Sequence, residues 1–383
     1  MGKGQSKEDK VKRIMVMEQS VEKKNRARRR ILHFMLNRES TTKSDVAREL
    51  DLSMPTVLAN INELMETGLV VEVGEMESTG GRKARSISLN EDYYYAAGVD
   101  VTAHHIGMVL VNLGGKVVKQ LRVRFDFRPE VSYCRDLVEK VRDFYKGEVP
   151  VERLLGVGIS LPGIINEREH SLAKSHALGV ENFNLRMIEQ LLEVPVYFEN
   201  DANAAMMAEN PEEKGDVVYL SLNNTLGGAI SVDGRLFPGR SRKAGEFGHM
   251  LLVPHGKKCY CGKEGCADAY CAASVLTRNG ECSLDAFMQS LGKDGEADKL
   301  WEEYLENLAM LISNIRMIFD TDIILGGDVG GYLDGYMVEL AEKVLKYNRF
   351  EQEVGYLKNC SYRKEASAVG AAKYFFHLQF PRV

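Results

Sequence analysis

Three closely spaced cysteines constrain the local fold of this chain more than any other feature of its sequence. Cys259, Cys261 and Cys266 are interleaved with glycines that let a short loop close around a small ion. His249 precedes them, and one histidine with three thiolates forms a tetrahedral zinc set without an open position. We therefore expect a structural zinc ion.

The alternative is three ordinary buried cysteines beside an unrelated histidine. The other cysteines lack such spacing and are expected to be packing residues: Cys134, Cys271, Cys282 and Cys360.

The length of the chain favours two or three domains. It has 383 residues, 44% of them hydrophobic, and a single core usually stops growing before that size. No stretch approaches the roughly 18 consecutive apolar residues of a membrane helix, and the N-terminus is too charged for a signal peptide. We expect a cytoplasmic protein without membrane insertion.

Charge is distributed unevenly along the chain. Residues 1–90 carry 17 basic and 13 acidic side chains, although the whole chain has a net charge of -5. Only this N-terminal part therefore has the positive net charge that favours binding to a polyanion, although charged segments are often no more than solvated surfaces. Within it, residues 1–25 have few large apolar groups and are expected to form a flexible or helical arm.

The pattern over residues 26–90 predicts three helices followed by a β-hairpin. Apolar positions recur at helical spacing up to Leu36, Thr42 can cap a second helix, and Ser53 can cap a third that Gly68 ends. The alternation that follows, on either side of a glycine-rich turn, is typical of a β-hairpin wing. Together these elements predict a winged helix-turn-helix domain.

The third helix and the tip of the wing are the predicted DNA contacts. A recognition helix reads the major groove near its N-terminus, and a basic hairpin tip can enter the minor groove or bind phosphates. On the helix the predicted contacts are Ser53, Met54, Pro55, Thr56 and Asn60, with Val57 exposed beside them. On the tip they are Gly80, Gly81, Arg82 and Lys83. The alternative is a winged helix that binds protein and has a solvated tip.

Beyond residue 92 the strands and helices alternate as in an α/β fold. The pattern predicts one strand from Ala96 to Leu110 and a second from Gly115 to Phe125. A helix near Arg135–Tyr145 and an apolar strand at Leu154–Leu161 follow.

A polar run follows the next predicted strand, Val194–Phe198. Its sequence is Glu-Asn-Asp-Ala-Asn at 199–203, and sites in α/β folds form at the ends of strands. A carboxylate here can accept a proton from a sugar hydroxyl while Asn200 binds another hydroxyl. The alternative, which the local sequence alone favours, is that Asp201 only caps the following helix.

These motifs occur together in one known family. The polar run, the Glu-x-Gly-His at 246–249, the cysteine loop, the Ile-Ile-Leu-Gly-Gly at 323–327 and the wing tip resemble the ROK family of repressors and sugar kinases. The resemblance covers about residues 26–383. It implies a winged helix-turn-helix (26–90) in front of an actin-like, two-lobed α/β domain that binds sugar between its lobes. The implied lobes are 93–205 with 365–383, whose helix at about 365–376 returns to the first lobe, and 206–364, which holds the zinc loop.

The resemblance also implies roles for individual residues. Asp201 matches the catalytic base of the family's kinases, and His249 would contact both zinc and sugar. The implied sugar contacts are Gly163, Asn200, Asp201, Glu246, His249 and Asp268. At the last of these the chain departs from the family, which usually has Leu-Glu where this chain has Ala267-Asp268.

A larger departure concerns the loops that hold ATP phosphates in the family's kinases. The first loop lacks the usual glycines, because Asp100 is followed by Val-Thr-Ala-His, and the second reads Leu-Asn-Asn-Thr-Leu-Gly-Gly at 222–228. Bulkier side chains there would crowd the backbone N–H groups that reach a phosphate. We therefore expect no kinase activity and only a vestigial base at Asp201.

The sequence thus predicts a sugar-responsive repressor of carbohydrate-utilisation genes. Its expected partners are double-stranded operator DNA and a sugar effector, and paired half-sites favour a homodimer or homotetramer. We expect sugar to stabilise one of two lobe arrangements and so lower affinity for DNA. The alternatives are a sugar kinase with a DNA-binding head and a repressor controlled by a protein partner.

Overall fold

The computed structural model describes residues 25–36, 38–75, 85–210, 215–362 and 364–380. Its N-terminal part contains three helices and a three-stranded antiparallel sheet in the order β1-β3-β2. The elements are α1 (25–36), β1 (Thr41–Thr42), α2 (Lys43–Glu49), α3 (Met54–Glu66), β2 (Val70–Glu75) and β3 (Arg85–Leu89). This is the predicted order of helices and hairpin, whereas the wing-tip residues 80–83 and most of the predicted arm lie outside the described residues.

Two side-chain caps and one glycine explain the predicted helix boundaries. Thr42 Oγ1 accepts a hydrogen bond from the Asp45 N–H, and Ser53 Oγ accepts one from the Thr56 N–H, so each side chain caps the helix that follows it. Gly68 takes a φ of +78°, and its N–H bonds the Met65 carbonyl as helix α3 ends.

The prediction of which α3 residues are exposed needs a correction. Val57 is fully buried and Asn60 is only 2% exposed, although both were expected to face DNA. They share one face of the helix with Ile61 and Leu64, which pack into the core of this domain. The Asn60 amide donates to the Thr56 carbonyl within the helix. Asn60 therefore supports α3 from inside and does not reach outward from it.

The first of two larger sheets has the order β11-β7-β4-β5-β6. Strands β4, β5 and β6 are antiparallel neighbours, while β4, β7 and β11 are parallel. Its elements are β4 (Tyr95–Val101), β5 (His105–Asn112), β6 (Val117–Arg124), α4 (Val131–Tyr145), β7 (Leu154–Leu161), a small antiparallel sheet of β8 (Ile164–Asn166), β9 (Ser171–Ser175) and β10 (Val180–Asn184), then α5 (Arg186–Leu191), β11 (Val196–Asn200) and α6 (Asp201–Glu209).

The prediction of one strand from Ala96 to Leu110 was wrong, because β4 ends at Val101 and β5 begins at His105. Thr102 makes the reversal: its N–H bonds the His105 carbonyl, and its hydroxyl oxygen accepts from the His105 N–H. Both strands are buried almost throughout, so the apolar pattern continues on either side of the turn. The strand predicted at 154–161 has the predicted bounds.

The second large sheet repeats the arrangement of the first, with the order β14-β13-β12-β15-β16. Three antiparallel strands are again followed by two parallel ones. Its elements are β12 (Val217–Leu222), β13 (Leu226–Val232), β14 (Arg235–Leu236), α7 (Asp268–Cys271), α8 (Ala273–Leu276), α9 (Leu284–Ser290), α10 (Gly295–Phe319), β15 (Asp322–Gly326), α11 (Gly327–Gly330), α12 (Met337–Tyr347) and β16 (Leu357–Asn359).

The last helix, α13 (Ala366–Gln379), returns to the first sheet and extends further than predicted. A side chain at Gly98 or Gly158 would collide with the backbone of α13, and one at Gly370 would collide with the Ala204 carbonyl of α6. Glycines at these crossings allow the close approach. As a result α13 fixes α6, whose N-terminus faces the cleft described below. No helix among the described residues is long and apolar enough to cross a membrane.

Candidate functional site

A cleft of about 510 Å³ lies between the two large sheets. The first sheet contributes the ends of β7 and β11 and the start of α6, and the second contributes the β12–β13 turn and the loop after β14. Five of the six predicted sugar contacts line this cleft together: Gly163, Asn200, Asp201, Glu246 and His249.

Asn200 organises the floor of the cleft. Its Oδ1 accepts hydrogen bonds from the backbone N–H groups of Ala202 and Asn203, so Asn200 is the cap of α6. Its Nδ2 donates to the Gly163 carbonyl at 3.0 Å, which ties β11 to the turn after β7. The structure thus corrects the alternative in which Asp201 is the cap. Because Asn200 caps the helix, the Asp201 side chain is left available to a ligand.

Asp201 is a carboxylic acid with an altered proton affinity. Burial, followed by the nearby charge of Asp100, raises its pKa to about 7. Asp100 lies on β4, accepts a hydrogen bond from Ser160 Oγ at 2.9 Å, and has its own pKa raised to about 6 by burial. Asp201 therefore exchanges a proton near neutral pH and can accept a hydrogen bond from a hydroxyl group once it is ionised.

Glu199 supports the cleft but was not singled out from the sequence. The residue is 4% exposed, and its carboxylate accepts hydrogen bonds from the Tyr197 hydroxyl at 2.6 Å and from Asn203 Nδ2 at 3.0 Å. Its Oε1 also accepts from the Asn200 N–H. The sequence signal was its place directly before the cap residue, and its effect is to hold the polar run in one conformation.

Two glycines shape the cleft through their backbone. Gly163 has a φ of +126°, and a side chain there would collide with the Lys174 carbonyl of β9. Gly245 has a φ of +84°, and a side chain there would collide with the Gly228 carbonyl of β13. This close packing on β13 sets the position of the next residue, Glu246, whose carboxylate lines the cleft.

The predicted metal ligands converge at one end of the cleft. The candidate ligand atoms of His249, Cys259, Cys261 and Cys266 all lie within 4.8 Å of one another. Cys261 Sγ is 3.7 Å from Cys266 Sγ, and Cys259 Sγ is 3.8 Å from His249 Nδ1. A tetrahedral zinc ion with sulfur ligands at about 2.3 Å requires sulfur atoms about 3.8 Å apart. The geometry therefore fits a four-coordinate metal ion.

Tyr260 is a cleft residue that sequence reasoning missed. Its hydroxyl lies 3.3 Å from His249 Nε2, the ring nitrogen that points away from the cysteines. Its ring lies 5.4 Å, centroid to centroid, from the ring of His176, which belongs to the opposite side of the cleft. Its place between two cysteines was the available signal. Tyr260 thus connects the metal loop, residues 249–266, to both walls of the cleft.

Asp268, the sixth predicted sugar contact, lies near His249 but outside the lining of the cleft. It is 6% exposed, does not line the cleft, and accepts a hydrogen bond from the Leu226 N–H at 2.7 Å. The expectation that it contacts sugar is therefore corrected. Its carboxylate, which is one methylene shorter than the family's glutamate, instead fixes the start of β13.

A second group of polar contacts lies around the β12–β13 turn. Asn223, in the β12–β13 turn, accepts a hydrogen bond from the Asp328 N–H at the start of α11 and donates one to Ser221 Oγ. Its carbonyl also accepts from the Ala273 N–H. The Asn223 side chain thus lies beside Gly327 and uses the N–H group of Asp328.

The outer face of α3 carries the remaining predicted contacts. Ser53, Met54 and Pro55 are exposed and Thr56 is half-buried, so these side chains surround the start of the helix. The outer face continues through Leu58 and Asn62, which sequence reasoning did not select. Their helical spacing from Met54 and Pro55 was the available signal.

Comparison with known proteins identifies both parts of the chain. The ROK family model matches residues 96–377, and a model described as winged helix-turn-helix DNA-binding matches residues 24–71. The chain is 26% identical, over 357 residues, to the xylose repressor of Caldicellulosiruptor bescii, which covers 84% of this chain and 87% of that protein.

Two solved structures are similar in fold. A ROK family transcriptional regulator described as a homologue of the E. coli MLC protein has a TM-score of 0.72 and 21% identity, and covers 92% of this chain and 95% of that one. A ROK hexokinase from Thermus thermophilus has a TM-score of 0.61 and 25% identity, with 74% and 98% covered. The likeness to the regulator includes the N-terminal part, whereas that to the hexokinase spans a smaller share of this chain.

Proposed function

The chain belongs to the ROK family, and from this premise we propose that it is a transcriptional repressor that binds operator DNA and responds to a sugar. One observation carries the proposal: a winged helix-turn-helix precedes a family domain whose cleft gathers Asn200, Asp201 and Glu246. The similarity to a xylose repressor over most of both chains supports the same conclusion.

In this proposal the sugar lies between the lobes predicted from the sequence, 93–205 with 365–383 and 206–364. The carboxylates of Asp201 and Glu246 accept hydrogen bonds from its hydroxyl groups, while Asn200, held as the cap of α6, binds a hydroxyl group through its side-chain amide. Both lobes contribute donors and acceptors, so a bound sugar favours the closed arrangement. Residues 26–90 bind DNA, in a homodimer or homotetramer that presents two recognition helices.

The metal loop is proposed to hold zinc through His249, Cys259, Cys261 and Cys266. Four protein ligands leave no position for a reactive water, so the ion would brace the loop. Because His249 is both a candidate ligand and a cleft residue, its Nε2 is held towards Tyr260 and the cleft. Bracing this loop therefore also orients the sugar site.

We propose further that the chain does not phosphorylate its sugar. Asn223 supports this, because its side chain accepts a hydrogen bond from the N–H group at the start of α11 and fills the space beside Gly327. A nucleotide phosphate would have to displace it. Without a positioned phosphoryl group, a base at Asp201 has nothing to transfer.

A thermal-shift screen of the purified full-length protein against a panel of sugars tests the proposal, because a ligand that binds only the native state raises Tm. We expect at least one sugar to raise Tm in the wild type and not in Asp201→Ala or Glu246→Gln. Glu152→Gln, an exposed change far from the cleft, serves as the control.

The DNA arm of the test uses double-stranded DNA selected from a random-sequence pool by the same protein. The sugar found in the screen should weaken binding to the selected DNA. A complete absence of shifts would overturn sugar sensing and favour control by a protein partner. ADP release from ATP with any hexose would overturn the proposed loss of kinase activity.

A further inference from the structure

We propose that the sugar effector carries a negatively charged group, a phosphate or a carboxylate, and that Lys243 and His176, which both line the cleft, bind it. This inference rests on the proposed function and names the chemical class of its ligand. The two residues reach the cleft from opposite sides, Lys243 from the loop after β14 and His176 from the segment after β9.

The loop after β14 is strongly basic. Between Phe237 and Gly245 it contains Arg240, Arg242 and Lys243 and no acidic residue. Arg242 and Lys243 line the cleft, and Lys174 and His176 line it from the facing side. Three cationic side chains and one histidine ring therefore meet around one opening.

Two of these four side chains already have anionic partners. Arg242 pairs with Glu167 at 2.9 Å, and Lys174 pairs with Glu181 at 2.8 Å. Lys243 and His176, in contrast, make no hydrogen bond or ion pair with any residue in the described ranges. A cation and a ring N–H donor therefore line the same cleft without a hydrogen-bonded acceptor among the described residues, although the Glu181 carboxylate lies near His176.

The cleft is also lined by carboxylates. Asp201 and Glu246 supply acceptors for hydroxyl groups, and an anionic substituent placed beside them would be repelled. An anionic sugar can satisfy both kinds of side chain only with its hydroxyls towards these carboxylates and its charge towards Lys243 and His176. A neutral sugar would use the carboxylates and leave the two donors without a partner.

Isothermal titration calorimetry on the full-length protein tests the inference with matched ligands: glucose, glucose 6-phosphate and glucuronate; N-acetylglucosamine and its 6-phosphate; xylose and xylose 5-phosphate; and inorganic phosphate. We expect one anionic sugar to bind at least about tenfold more tightly than its neutral parent, as a charge-assisted hydrogen bond allows. The ranking of phosphate against carboxylate identifies the anion. Inorganic phosphate should bind much more weakly than the sugar phosphate, and equal affinity would overturn the inference.

A charge-removing variant provides the second readout. Lys243→Met keeps the length of the side chain and should abolish most of the preference for the anionic sugar while leaving affinity for the neutral parent unchanged. Lys299→Met, at an exposed position on α10, is the matched control and should leave the preference intact.

Failure of this inference is distinguishable from failure of the proposed function. If a neutral sugar binds as tightly as its anionic form and Lys243→Met has no effect, the anion site is overturned while sugar sensing stands. If no sugar of either kind binds, the proposed sugar response is overturned together with the anion site.

Discussion

At the scale of single residues, the neighbours Asn200 and Asp201 have different roles in the cleft. Asn200 caps α6 and anchors Gly163, so Asp201 can keep its carboxylate in the cleft. Burial and the charge of Asp100 make this carboxylate costly to ionise. The site therefore includes an acid whose unfavourable charge a hydrogen-bonding ligand would stabilise.

We predict that Asp201→Asn makes the free energy of unfolding less dependent on pH. The pKa of Asp201 is raised to about 7 in the native state, whereas an aspartate in an unfolded chain has a pKa of about 3.9, so the native state holds a proton that the unfolded state has lost over this window. Stability is present below about pH 4 and falls as pH rises towards 7. Relative to wild type, the variant should gain about 1 to 3 kcal/mol between pH 4 and pH 8.

Urea denaturation of both proteins at several pH values measures this difference. Glu152→Gln, which removes an exposed carboxylate far from the cleft, should follow the wild-type curve. Parallel curves for Asp201→Asn and wild type would contradict the assigned pKa.

At the scale of elements, two features hold the walls of the cleft: the crossing of α6 and α13, and the metal loop. The crossing depends on glycine, since no side chain fits between Gly370 and the Ala204 carbonyl. The loop depends on four side chains that converge within 4.8 Å. Changes at Gly370 or Cys259, which do not line the cleft, should therefore still affect it.

We predict that Gly370→Ala destabilises the protein by at least about 2 kcal/mol, because the added methyl group forces two packed helices apart. Alanine has the higher helix propensity by about 1 kcal/mol, so a loss of stability can only come from the crossing. Gly355→Ala, where a methyl group meets open space, is the control and should change stability little. Equal midpoints of denaturation for the two variants would contradict the close packing.

We predict one zinc ion per chain in the purified protein and its loss in Cys259→Ser. Removing one of four ligands should lower Tm and also weaken sugar binding, because His249 loses its orientation. Elemental analysis gives the zinc content, and thermal shift gives the other two quantities. Cys282→Ser changes a cysteine outside the cluster and should retain the metal; retention of zinc by Cys259→Ser would argue against the four-ligand site.

At the scale of the whole molecule, α13 connects the cleft to the N-terminal domain. It packs on α6 at one side, and beyond its last turn the Phe380 carbonyl lies 3.1 Å from His33 Nδ1 of α1. Phe380 is buried in a core that includes Ile31 and Leu32 of α1. A shift of α6 on sugar binding can therefore reach the DNA-binding domain through packed contacts.

We predict that Phe380→Ala uncouples the two activities. Sugar affinity, measured by calorimetry, should stay within about twofold of wild type, while the effect of sugar on DNA affinity should fall by about 1 kcal/mol or more. Leu378→Ala, at a 60% exposed position two residues earlier, is the matched control and should keep the full effect. A normal sugar response in Phe380→Ala would exclude this route.

Much of this architecture was predictable from local sequence. Caps at Thr42 and Ser53, the buried run at 154–161 and the spacing of the cysteines each depend on residues close together in the chain. Hydrogen bonds within one turn and thiolates on one loop follow from composition and spacing, so such features need no tertiary information.

Other features were decided only when distant segments packed together. Asn60 was expected outside and lies inside, Asp268 was expected in the cleft and bonds β13, and the pairing of α13 with α6 had no local signal. The sequence alone therefore determined which elements form and which residue types can bind metal or sugar. The tertiary structure decided which side chains face the cleft, because burial, pKa and the partner of each polar atom depend on segments far apart in the chain.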